Sequence, residues 1–172
     1  MIHIVLVEPE IPQNTGNIAR TCAATGCELH LVEPLGYKLE DKYLKRAGLD
    51  YWPLVKVHVH PDFADVLARY PDGAFYYAST KAPRSYAQVQ YPQDAFLVFG
   101  RESRGLPENL LERVYDRCIR IPMVEGARSL NLSNSVAIVA YEALRQHDFA
   151  HLKDTGCLTG REEEAGAWMD YL

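Results

Sequence analysis

Short apolar runs rich in Val, Ile and aromatic residues recur along this chain, and segments with helical spacing fall between several of them. The runs cover residues 2–7, 29–32, 55–59, 74–78, 95–99 and 118–121, and a polar or Gly/Pro-bearing turn follows each. They are the predicted strands. Helical spacing predicts helices over 17–25, 41–47, 62–70, 107–114 and 132–146. Parallel strands need crossover connections, so this alternation predicts an α/β fold, a mainly parallel sheet flanked by helices on both faces. No internal repeat, low-complexity tract or linker divides the body, so one domain is the expectation for 172 residues.

Charge at first argues against a nucleic-acid partner. Lys plus Arg number 18 against 23 Asp plus Glu, a net charge of -5, where a domain that binds nucleic acid electrostatically is often strongly basic. The excess is not evenly spread. From His147 onward there are two basic residues, Lys153 and Arg161, against six acidic ones, so the tail carries -4 of the -5. The body is close to neutral, and the exclusion weakens. The composition shift suggests a folded domain over 1–150 and an acidic C-terminal extension over 151–172.

The apolar runs fall far short of the roughly 20 residues needed to cross a bilayer. No membrane partner is expected. Glu8 and Glu10 close the first run, with no basic leader or small-residue cleavage site, so the chain reads as cytoplasmic. Cys22, Cys27, Cys118 and Cys157 lack metal-ligand spacing and read as reduced thiols, mostly core filler.

Ligands of open α/β sheets bind beyond the carboxyl ends of the strands, and three such segments carry more polar chemistry than turning requires. The first runs from Pro9 to Arg20 through Asn14-Thr15-Gly16-Asn17. Asn14 or Asn17 could cap the following helix. Arg20, one turn beyond Asn17, could present its planar fork to a phosphate near the helix start, or simply be a solvated arginine. The second is Phe99-Gly100-Arg101-Glu102-Ser103-Arg104-Gly105-Leu106-Pro107. Its glycines permit close backbone approach to a ligand, and Glu102 can accept hydrogen bonds. It is neither G-x-G-x-x-G nor a Walker motif, and no G-x-S-x-G elbow holds Ser103 or Ser129. The third runs from Ile121-Pro122-Met123 to Ser129-Leu130-Asn131-Leu132-Ser133-Asn134-Ser135. Ser129 or Asn131 begins a helix whose free amides can hold an electron-rich group, and the polar residues exceed what a cap needs.

Other features read as structural. His58 and His60 share a strand face without an indicated third metal ligand, so a solvent-facing side is expected. Tyr76 and Tyr77 read as packing, Tyr141 as a core ring with its hydroxyl outward, and Glu162-Glu163-Glu164 as a solvated face or tail.

Taken together, the three segments resemble the SPOUT superfamily of S-adenosylmethionine-dependent RNA methyltransferases. The matching motifs are Asn-x-Gly-Asn-x-x-Arg, Phe-Gly-x-Glu-x-x-Gly-Leu and Ile-Pro-Met...Ser-Leu-Asn-Leu-Ser-Asn, in order and spacing. Glu8-Pro9-Glu10-Ile11-Pro12 and Arg46-Ala47-Gly48-Leu49-Asp50-Tyr51 narrow the resemblance to its minimal bacterial branch, which methylates the ribose 2'-hydroxyl of the wobble cytidine or modified uridine in leucine tRNAs. The resemblance covers about residues 1–146. It implies a C-terminal trefoil knot, which general topology rules discourage, and a homodimer with active sites near the subunit interface. The methyl donor, S-adenosyl-L-methionine, would lie against Ala78, Gly100, Ile121, Ser129 and Leu130, several of them through backbone atoms, leaving S-adenosylhomocysteine as product.

The chemistry this implies is in-line attack of a ribose 2'-hydroxyl on the sulfonium methyl. No metal is needed, because the positive sulfur already leaves readily. Arg20 would help activate the hydroxyl or hold its neighbouring phosphate, although guanidinium is too weak an acid to serve as a literal base. Asn14, Glu102 and Asn131 would position groups around it. Two alternatives stay open: a 2'-O-methyltransferase on another RNA, and a noncatalytic RNA-binding protein with the same fold.

Overall fold

A seven-stranded sheet organises the computed structural model, which describes residues 1–39 and 51–158. The strands are β1 (His3–Val7), β2 (Glu28–Val32), β3 (Val57–His60), β4 (Ala74–Ala78), β5 (Arg84–Ser85), β6 (Ala95–Phe99) and β7 (Cys118–Arg120). They lie in the order β3-β2-β1-β6-β4-β7-β5, with every pairing parallel. The helices are α1 (Pro12–Thr25), α2 (Phe63–Arg69), α3 (Glu108–Arg113) and α4 (Leu132–Arg145).

Burial on both faces explains why the central strands read as continuous apolar runs. All five residues of β6, Ala-Phe-Leu-Val-Phe, are buried between β1 and β4. Their side chains alternate between two cores. Ala95, Leu97 and Phe99 join Ile4, Leu6, Ile18, Val136 and Val139 on the side covered by α1 and α4. Phe96 and Val98 join Val5, Val66 and Leu111 on the side covered by α2 and α3. Fully burying Val136 or Val139 stabilises by about 1.5–3 kcal/mol relative to exposure, which fixes α4 on the sheet.

The parallel sheet and two-sided helices match the expectation, with instructive differences. The third strand begins two residues later than its apolar run because Trp52–Leu54 forms a 3-10 turn, closed by Val55 N–H on the Trp52 carbonyl. Strand β5 has only two residues and no apolar pattern; pairing with β7 makes it a strand. The helix expected over 41–47 lies outside the described residues. Tyr141 is 45% exposed rather than a core ring, because it faces away from the sheet on α4. Cys22, Cys27 and Cys118 are buried thiols, Cys157 is exposed, and burial pushes the Cys22 thiol up.

The histidine face also departs from expectation. His30 and His60 are fully buried, because α2 covers that side of β2 and β3. Burial, with His58, His3 and His60 nearby, lowers His30 to about 3. Among the described residues no helix is long and apolar enough to cross a membrane.

Candidate active site

The strand order brings the carboxyl ends of β6, β4 and β7 side by side, and the three polar segments converge around them. Helix α1 begins at Pro12, five residues before the expected start, and Ile11 at its N-cap offers no capping side chain. Asn14 and Asn17 therefore lie inside the helix and cap nothing. The cap comes from a distant loop. Glu102, beyond β6, accepts hydrogen bonds from Glu10 N–H at 2.8 Å and Ile11 N–H at 3.2 Å. A carboxylate there also complements the positive end of the helix dipole.

Asn14, only 5% exposed, extends this contact into a relay. Its Nδ2 donates to Glu102 Oε1 at 3.0 Å, and its Oδ1 accepts from Asn131 Nδ2 at 3.0 Å. Asn131 in turn caps α4, its Oδ1 accepting from Ser133 N–H at 2.9 Å and Asn134 N–H at 3.3 Å. Ser103 donates from both N–H and Oγ to the Glu10 carboxylate, and Arg101 pairs with Glu8. Each segment thus holds the others, and none could keep this geometry alone.

The second segment folds back on itself. Arg101 and Gly105 form an antiparallel bridge, with Gly105 in the left-handed region at φ 68. A Cβ on Gly100 would lie 2.2 Å from the Gly105 carbonyl carbon, so only glycine fits there.

These loops enclose a cavity of about 610 Å³, within the range of small-molecule sites. Of the residues singled out in the sequence, Asn14, Ala78, Gly100, Glu102, Ile121, Ser129, Leu130 and Asn131 line it. Arg20 does not. It stands two turns along α1, about 12 Å from the helix start, exposed, with its guanidinium over the Tyr51 ring at 4.8 Å. Nη2 also donates to the Tyr51 hydroxyl at 3.4 Å.

Sequence reasoning missed Ser79, Thr80 and Lys81, which also line the cavity. The signal was available, since they directly follow the β4 strand at its carboxyl end. Near the first segment, burial raises the Tyr37 hydroxyl to about 12, so it stays protonated beside Thr15 Oγ1 at 2.6 Å.

The lining is strongly positive. Lys81, Arg101, Arg104, Arg120 and Arg128 face one acidic residue, Glu102. Lys81 and Arg101 are held by Glu108 and Glu8, whereas Arg104, Arg120 and Arg128 form no ion pair among the described residues. Guanidinium groups in this setting suit an anionic, phosphate-bearing partner. The helix start at Asn131 and the strand-end backbone suit an uncharged or negative portion of a smaller ligand.

Known proteins share this fold and much of this sequence. A tRNA (cytidine(34)-2'-O)-methyltransferase of Saccharophagus degradans is 47% identical over 154 residues, covering 89% of this chain and all of its own. A solved structure described as giving insight into the 2-OH methylation of C/U34 on tRNA superposes with a TM-score of 0.83 at 47% identity, over 86% of this chain and 97% of its own. An AdoMet-bound rRNA methyltransferase from Sinorhizobium meliloti superposes with a TM-score of 0.73 at 25% identity, over 84% of this chain and 56% of its own. The model of one family matches residues 1–141, the span that holds all three converging segments: the chain belongs to the SpoU rRNA Methylase family.

Proposed function

We propose that this protein transfers a methyl group from S-adenosyl-L-methionine to the ribose 2'-hydroxyl of nucleotide 34, cytidine or modified uridine, in leucine tRNAs. The observation that carries this reading is the convergence of three sequence segments, tied by the Glu102–Asn14–Asn131 relay, around one cavity. The relatives named for position 34 of tRNA support the substrate, and the AdoMet-bound relative supports the donor. The resemblance supports the finer points: leucine isoacceptors, the C-terminal trefoil knot, a cytoplasmic homodimer, and a methyltransferase domain over 1–150 with an acidic extension after it.

In this reading the donor supplies an electrophilic sulfonium methyl. Ala78, Gly100, Ile121, Ser129 and Leu130 bind the donor, largely through backbone and apolar contact. Glu102, Asn14 and Asn131 are positioning residues. Their hydrogen bonds hold the loops in register, and Glu102 has its carboxylate occupied by two amides and one side chain. Arg20 orients the reacting nucleotide through its phosphate, and the proton leaves to a phosphate oxygen or water. Replacing Arg20 by Ala leaves donor affinity unchanged in calorimetric titration and lowers methyl transfer at least a hundredfold. Unchanged turnover would remove Arg20 from the reaction.

The decisive experiment is mass-spectrometric mapping of ribose methylation in tRNA from a strain lacking this protein. Loss confined to the wobble nucleotide of leucine tRNAs is the expected result. The family's name favours a second substrate, ribosomal RNA; loss of a ribosomal 2'-O-methyl group with intact wobble methylation would establish it instead. A chain that fails to bind S-adenosylmethionine at all would be a noncatalytic RNA-binding relative.

A further inference from the structure

At the beginning of β1 and β2, remote from the cavity at the other end of the sheet, three metal-compatible donors meet. His3 lies opposite Glu28 in the parallel register of β1 and β2, and His30, two residues on, points to the same face. His3 Nδ1 is 3.0 Å from His30 Nε2 and 3.9 Å from Glu28 Oε2, and one donor atom from each residue falls within 4.8 Å of the others. Around a tetrahedral ion with metal–nitrogen and metal–oxygen bonds near 2.0–2.2 Å, donors sit about 3.3 Å apart. The two spacings from His3 straddle that value, and the third lies within 4.8 Å, so closure draws the Glu28 carboxylate toward the two imidazoles. Two of the three residues are buried and the third is partly so.

The surroundings fix which atoms face the centre. Asp65 Oδ2, acceptor only as a carboxylate, lies 2.7 Å from His60 Nδ1, which therefore carries the proton. In the neutral ring His60 Nε2 is then an acceptor, 3.0 Å from His30 Nδ1, which carries its own proton in turn. His30 Nε2 is left with a lone pair directed at His3. This is the arrangement in which metal-ligating histidines occur, with the second ring nitrogen anchored through a carboxylate. Lys56 Nζ binds Glu28 Oε1 at 2.7 Å and so turns Oε2 inward, where His58 Nε2 also reaches it at 2.8 Å. The His58 ring stacks on His30, centroids 4.6 Å apart and 11° between planes, which keeps it beside the centre rather than in it. Phe96 stacks on His3 at 4.1 Å and supplies an apolar wall.

We propose that His3, Glu28 and His30 form a divalent transition-metal site that clips the first strand to the second. Two imidazoles and one carboxylate suit Zn²⁺, with a water as fourth ligand. On binding, the proton of His3 moves from Nδ1 to Nε2, and the ion takes the place of the hydrogen bond to His30. The ion is structural, since the residues lining the cavity are on other strands.

The test uses the full chain carrying Cys157→Ser, which removes the one exposed thiol among the described residues. Equilibrium dialysis against Zn²⁺ is expected to give one ion per chain, and Co²⁺ in its place is expected to show the intense visible absorption of four-coordination. His3→Gln and Glu28→Gln should each weaken affinity tenfold to a hundredfold, with unchanged S-adenosylmethionine binding. Since either variant could disturb the strand, the unsubstituted chain gives a second readout: ¹⁵N resonances of His3 Nδ1 and His30 Nε2 shift on Zn²⁺ addition. Absence of stoichiometric binding, affinity unchanged from the parent chain in both variants, or unshifted His3 and His30 resonances overturns the proposal and leaves a hydrogen-bonded histidine core.

Discussion

Gly100 and Asn131 show how much of the site rests on single positions. A Cβ on Gly100 would meet three backbone atoms, Gly105 C at 2.2 Å, Leu106 N at 2.4 Å and Gly105 O at 2.5 Å. No side-chain rotation relieves such contacts, so the 101–106 loop must move. Under the proposed reading, Gly100→Ala weakens S-adenosylmethionine binding tenfold or more, about 1.4 kcal/mol, read by calorimetry. Unaltered affinity would place the donor elsewhere. Asn131 has two separable duties. Its Oδ1 caps α4, and its Nδ2 donates to Asn14. Asn131→Ala should lose about 1 kcal/mol, a fall of roughly 2–4 °C in Tm. Asn131→Asp keeps the cap but loses the donation, so it should recover thermal stability without recovering methyl transfer. Equal recovery of both would reduce Asn131 to a helix cap.

Glu102 acts at the scale of the element. It sits more than 85 residues from the helix start that it holds, and its two backbone contacts and one side-chain contact are the only side-chain capping there among the described residues. Glu102→Ala should cost about 2 kcal/mol, the scale of charge-assisted hydrogen bonds. Hydrogen exchange should quicken at residues 10–14 while α4 stays protected; uniform protection would mean that the helix start is held by other contacts. The same residue marks where sequence reasoning stops. Local rules place a helix start at a capping Ser, Thr, Asp or Asn, and the nearest candidates here were Asn14 and Asn17. The true cap is tertiary, and the one local signal at the observed start, Pro12 at the first helical position, carries no capping side chain. Strand β5 was illegible for a related reason, being made by pairing with β7 rather than by its own pattern. By contrast, β6 and α4 were legible because an unbroken apolar run and a 3.6-residue periodicity are intrinsic to the chain. The cavity lining was largely legible too, through Gly100, Glu102 and Asn131. The partnership of His3, Glu28 and His30 was not, because strand register joins residues 25 and 27 positions apart.

At the scale of the whole molecule, net charge and Arg20 raise one question, which is what lies opposite the cavity. The chain carries -5 overall, yet five cationic side chains and one carboxylate line the cavity. Local field, not the sum, meets the approaching RNA. Arg20 is absent from that lining and stacks on Tyr51 instead. If it orients the reacting nucleotide, as proposed, a second subunit is a direct way to bring it to a cavity that it does not line in its own chain. An isologous dimer whose interface joins the exposed face of α1 to the rim of the cavity would place each Arg20 at its neighbour's site. Mixing two inactive variants tests this. Arg20→Ala retains the cavity, and Gly100→Val, bulkier than the alanine variant, blocks it while retaining Arg20. After subunit exchange at equal concentrations, half the dimers are mixed, and each contains one site with an intact cavity and an intact Arg20 from the neighbour. Activity should recover to about a quarter of the unaltered protein's. If Arg20 serves the cavity of its own chain, no site in any mixture is whole, and no activity returns.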